Sequence, residues 1–78
     1  MKYCDKITYC AFKENGYISV WAVMRTNASL FNYDNEVHIG CTEYPQGIEE
    51  TDKEYLHNYA LIYAKEKGYI ERGYNYEN

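Results

Sequence analysis

Few side chains in this 78-residue chain could do chemistry: cysteines at 4, 10 and 41 and histidines at 38 and 57. Four of them could in principle hold zinc, but the five residues between Cys4 and Cys10 exceed the usual spacing of paired ligands. His38 and Cys41 differ by three positions, and on a regular strand an odd separation points side chains to opposite faces, so these two are not expected to meet. A cysteine nucleophile needs a cation or base that favours the thiolate, and no positive cluster surrounds any of the three. His38 with Glu36 and Thr42 could form an acid–base trio on one strand face, although such groups on an exposed sheet are ordinarily just solvated. The glycines stand singly at 16, 40, 47, 68 and 73, so there is no phosphate-cradling loop. No metal, cofactor or catalytic residue is expected.

These residues must be positioned by a small number of elements. Asn15-Gly16 separates two β-rich runs, Lys6 to Lys13 and Tyr17 to Arg25, and Asn-Gly is the preferred pair for a two-residue hairpin turn. Pairing Glu14 with Tyr17 sets Lys13 against Ile18, Ala11 against Val20, Tyr9 against Ala22 and Ile7 against Met24, all on one almost wholly apolar face. The other face carries Lys6 with Arg25, Thr8 with Val23, Cys10 with Trp21 and Phe12 with Ser19, closing on Tyr17. Ala28 to Phe31 is read as a short strand. Glu36 to Glu43 alternates with Val37, Ile39 and Cys41 on one side and His38, Gly40 and Thr42 on the other, the signature of a half-buried strand.

A helix is expected over about 52–67. Thr51 and Glu54 match a capping box, Asp52 suits the positive helix end, and Gly68 after Lys65 and Lys67 is a stop signal. On the helical wheel Tyr55, Leu56, Tyr59, Ile62 and Tyr63 form a stripe that should face the sheet, with Leu61 opposite. Tyr55, Tyr59 and Tyr63 then read as core residues whose phenol oxygens reach the rim. The tail 69–78 is expected to be partly frayed, with Tyr69 folding back on Ala64. The fold class is therefore α+β: one domain over 1–78, with a small antiparallel sheet of three to four strands over about 3–44, opened by an N-terminal hairpin and packed on one C-terminal helix.

One helix cannot cover both faces of a sheet. Phe12, Tyr17, Trp21 and Val23 are left as an aromatic and apolar cluster, the kind of patch that marks association surfaces. A second candidate is the acidic stretch at the helix entrance. Helix-dipole stabilisation accounts for Asp52 and Glu54, whereas Glu49 and Glu50 are surplus to it and could steer a basic partner.

Composition narrows the functional classes. A net charge of −4 with scattered basic residues disfavours direct nucleic-acid binding. No apolar run approaches membrane-spanning length, and charges near the amino terminus do not suit a signal peptide, so a cytoplasmic, membrane-free protein with reduced thiols is expected. Eleven tyrosines with abundant asparagine and isoleucine suit AT-rich coding, as in phages and mobile elements. A core this small rarely supplies more than about 3–5 kcal/mol, which favours self-association. The expectation is a non-enzymatic, acidic protein-binding module, a homodimer or the ligand of another protein with a basic surface, of the phage-inhibitor type that blocks a host or defence protein. The alternatives are an acidic nucleic-acid mimic occupying a basic groove, a very small enzyme or ligand carrier built on His38 and the tyrosines, and a structural subunit.

The face assignment makes a direct prediction. Val20→Asp places a charge under the helix and should unfold the domain, whereas Thr8→Asp on the other face should cost only local strand stability. Thermal melting of the two variants checks this, and equal damage would show the faces to be misassigned or both buried.

Overall fold

The computed structural model describes residues 2–25 and 34–73. The elements run β1 (Lys2–Cys4), β2 (Lys6–Phe12), β3 (Tyr17–Arg25), β4 (Asp34–Glu43), α1 (Lys53–Glu66) and β5 (Tyr69–Glu71). Strands β2, β3 and β4 form an antiparallel sheet with β3 in the middle, and α1 packs on one face of it, so the α+β class holds. The Ala28 to Phe31 strand lies outside the described residues. None of the described helices is long and apolar enough to cross a membrane.

The hairpin forms in a register two residues away from the expected one. Phe12 pairs with Tyr17, Ala11 with Ile18, Tyr9 with Val20 and Ile7 with Ala22. Lys13 leaves the ladder because its backbone N–H donates to the Glu50 carboxylate at 2.9 Å, and the loop becomes four residues long. Gly16, at φ +79°, closes that loop by donating to the carbonyl of Phe12 at 2.9 Å. A slip of two residues exchanges partners but not faces, because side chains alternate with period two. Ile7, Ile18, Val20 and Ala22 are accordingly all buried beneath the helix, with Tyr9, Ala11 and Met24 packed around them.

The helix has the expected span but is rolled about its axis. Leu56, Ala60, Leu61 and Ala64 are buried, while Tyr55 and Ile62 are 50% and 61% exposed. Relative to the expected stripe this is a rotation of roughly 100°, one residue's worth. Leu61, expected outside, joins the core at 2% exposure. Two alanines on the buried face let the helix lie close to the sheet, and Tyr59 and Tyr63 flank that contact instead of filling it. The capping box is not formed: Asp52 is the N-cap and makes no side-chain capping bond. The other end stops as expected, with Gly68 at φ +95° donating to the Lys65 carbonyl at 3.0 Å.

The chain after the helix does not simply fray. Tyr69–Glu71 pairs in parallel with Lys2–Cys4, so the chain's opening strand is tied to the strand that follows the helix. The Ile7 N–H donates to the Glu71 carboxylate at 2.8 Å and the Asp5 N–H to the Val23 carbonyl at 2.9 Å, stitching this small ribbon to the larger sheet. β5 also packs on α1, which explains why the Leu61 side of the helix is covered.

Strand β4 carries a bulge. Val20 pairs with Gly40 but Trp21 pairs with His38, leaving Ile39 as an extra residue. Gly40 sits under the Tyr63 phenol, and a Cβ at this position would collide with its oxygen. Because Tyr44 N–H bonds to the Gly16 carbonyl at 3.0 Å, the even-numbered residues of this end of β4 bond to β3, and the odd ones face the open edge. The Tyr63 hydroxyl donates to the Cys41 carbonyl at 3.3 Å and the Tyr59 hydroxyl to the Glu43 carbonyl at 2.8 Å. The tyrosines therefore occupy edge carbonyls rather than reaching for water.

Gly40→Ala should destabilise the domain by about 1–3 kcal/mol, because the added methyl displaces Tyr63 from its seat. Adding Tyr63→Phe should recover part of that loss by removing the colliding oxygen. Denaturant unfolding of the four proteins of this cycle tests the contact, and strictly additive losses would show that Gly40 and Tyr63 do not interact.

Candidate functional site

The outer face of the three-stranded sheet, away from the helix, gathers most of the side chains singled out above. Register places them in four cross-strand rows: Lys6, Val23 and Glu36; Thr8, Trp21 and His38; Cys10, Ser19 and Cys41; Phe12, Tyr17 and Glu43. Phe12 and Tyr17 stack with ring centres 4.9 Å apart. Phe12 is exposed, and Tyr17 and Trp21 are half-buried. Val23 departs from expectation. It is only 6% exposed, at the end of the ribbon where β1 lies against β3, and so offers no open surface.

The bulge changes the chemistry of this face. By inserting Ile39 it restores His38 and Cys41 to the same side, although their spacing predicts opposite sides. His38 Nε2 lies 2.8 Å from Ser19 Oγ and 3.8 Å from Cys41 Sγ, and the Trp21 ring packs 4.7 Å from the imidazole. With its proton on Nδ1, the imidazole accepts at Nε2 from the Ser19 hydroxyl or the Cys41 thiol; with the proton on Nε2, it donates to Ser19 Oγ. Both neighbours meet the same nitrogen, so this is not the relay of a hydrolytic triad, in which the third group holds the opposite ring nitrogen. Among the described residues no three metal-ligating groups converge. Cys10 and Cys41 flank Ser19 on the two edge strands, roughly 9–10 Å apart by strand spacing, too far for a disulfide.

One signal for this cluster was present in the sequence. A lone glycine within an alternating strand marks a bulge or a close backbone approach, and Gly40 has both beside it. Ser19 gave no signal; only its position between His38 and the two edge cysteines brings it in.

The acidic residues are used within the fold. Lys13 Nζ pairs with Glu49 at 2.9 Å, and the Lys13 N–H donates to Glu50, so both carboxylates clamp the hairpin loop to the helix entrance. The hydrogen bond that the Lys13 ammonium donates to Glu49 holds its proton above the usual lysine range. Glu49 and Glu50 thus each hold Lys13, in an exposed contact at the hairpin loop. A shallow open groove between β2 and the first half of the helix is lined by Ile7, Tyr9, Lys53, Glu54 and His57, among others, with no arrangement that points to a reaction.

The third cysteine is part of the core. Cys4 is 2% exposed and its thiol donates to the Ile70 carbonyl at 3.5 Å. Burial pushes the thiol above its usual value of 9.0, and the nearby Glu71 and Asp5 carboxylates act in the same direction. Comparison with known proteins finds no family model, curated protein or solved structure that matches this chain.

Cys4 links stability to alkaline pH. The unfolded thiol ionises at its usual 9.0 while the folded one holds its proton, so its contribution is intact below 9.0 and declines as pH rises beyond it. Tyr9 and Tyr44, raised above 10.0 chiefly by burial, extend the decline. The melting temperature should fall between pH 9 and 10 with a slope that Cys4→Ala reduces. An unchanged slope in that variant would remove Cys4 as its source.

Proposed function

We propose that this protein is a small, acidic, non-enzymatic binding module that engages another protein through the outer face of its sheet. The observation that carries this reading is the aromatic strip of Phe12, Tyr17 and Trp21 on the face opposite the helix. Aromatic side chains that are rigid, partly exposed and backed by a packed sheet are the usual anchors of protein interfaces. In this reading the module acts as an inhibitor does, by occupying a surface of its partner, and the net charge of −4 favours a partner that is neutral or basic there. Among the described residues both hydrogen-bond partners of His38 meet the same ring nitrogen, an arrangement that supports binding over relay catalysis. The use of Glu49 and Glu50 by Lys13 supports the aromatic strip over the acidic helix entrance as the contact surface.

Phe12→Ala and Trp21→Ala should each weaken partner capture roughly tenfold or more, with Phe12→Ala lowering the melting temperature less than Trp21→Ala because its ring is 40% exposed and loses chiefly the stack on Tyr17. Sedimentation of the protein alone, compared with the same measurement after adding candidate host extract, separates self-association from capture of another protein. Full binding by both variants, with losses instead in Tyr55→Ala and Ile62→Ala, would move the interface to the outer side of the helix.

A further inference from the structure

The three cysteines stand in three different chemical settings. Cys4 is sealed in the core. Cys10 is exposed on β2, and Cys41 is exposed on β4, two strands away across Ser19. Among the described residues, Cys41 is the one with an imidazole against it, 3.8 Å from His38 Nε2. The imidazole is held in place on two sides, by the Ser19 hydroxyl at 2.8 Å and by the Trp21 ring. Ser19 is itself buried at 8% exposure, so the base is anchored to the body of the sheet while the sulfur next to it faces outward. This combination of accessible sulfur and pre-positioned imidazole is what makes a thiol react selectively.

We propose that Cys41 is a reactive thiol, a modification site that exchanges with small organic disulfides while His38 takes up its proton. In the exchange the Ser19 hydroxyl turns its proton away from the ring, the Cys41 S–H proton passes to His38 Nε2, whose new N–H donates to Ser19 Oγ, and the sulfur attacks one sulfur of the incoming disulfide. The S–S bond of the reagent breaks as a new one forms to Cys41, and the leaving thiolate departs and recovers a proton. One disulfide is consumed and one is made, so no further oxidant is needed. The adduct would stand on the outer sheet face beside Trp21. The proposal does not depend on that face binding a protein.

The wild-type protein contains its own control. Native protein is treated at neutral pH with dipyridyl disulfide, a neutral reagent that the chain's negative charge neither attracts nor repels, and labelling is followed at each cysteine by peptide mass. Cys41 should be modified roughly tenfold faster than Cys10, with Cys4 unreactive until the protein unfolds. His38→Gln should slow Cys41 to about the rate of Cys10 without altering the rate of Cys10. Equal rates at Cys41 and Cys10 in the wild type would overturn the proposal without reference to any variant. So would a His38→Gln protein in which Cys41 keeps its advantage.

Discussion

The closeness of one helix to one sheet governs most of this structure. A chain of this size has a single layer of apolar contact to hold it together, between the inner faces of β2 and β3 and the buried stripe of α1. The smaller residues of the seam are Ala22 and Val20 below and Ala60 and Ala64 above, with Ile7 and Ile18 beside them. With alanines at 60 and 64 turned to the sheet, the helix buries its 56–60–64 stripe instead of its tyrosine stripe. Leucines at 56 and 61 then reach into the core from either side of the alanines, and the tyrosines are pushed to the margin.

That displacement gives the tyrosines a second use. At the margin their rings still cover apolar surface while their hydroxyls reach the β4 backbone, a division of labour open to tyrosine and closed to leucine. By bonding to the Cys41 and Glu43 carbonyls they occupy hydrogen-bonding positions that an edge strand otherwise presents to any passing chain. Gly40 belongs to the same arrangement, since a side chain there would hold the Tyr63 ring away from β4. The helix thus does more than cover the sheet: it closes part of its edge.

The bulge at Ile39 follows in the same end of β4, and its effect appears on the far side. On the inner face it sets Gly40 opposite Val20, where the Tyr63 phenol is seated. On the outer face it brings His38 and Cys41 together over Ser19. One irregularity in one strand therefore lies beside the seat of Tyr63 and creates the cluster of His38, Cys41 and Ser19 on the outer face. The aromatic strip and the thiol cluster share this face because the helix can occupy only the other one.

Local and periodic features were determined by the sequence alone. The faces of the hairpin, the presence of a strand at β4, the helix and its Gly68 stop all follow from spacing and backbone preference, which act over a few residues, whereas the regular alternation expected over 36–43 is broken at Ile39. Even the misplaced hairpin register left the faces correct, because a slip of two preserves the alternation. What depended on long-range partners was decided only in the tertiary structure. Lys13 left the ladder because Glu50 was there to receive its N–H. Leu61 is buried because β5 closes over that side of the helix, and Tyr69–Glu71 is a strand because Lys2–Cys4 lies beside it. His38 and Cys41 meet because a bulge adds one residue between them, and a count along the sequence assumes a regular strand where the packing of Tyr63 on Gly40 accompanies an irregular one.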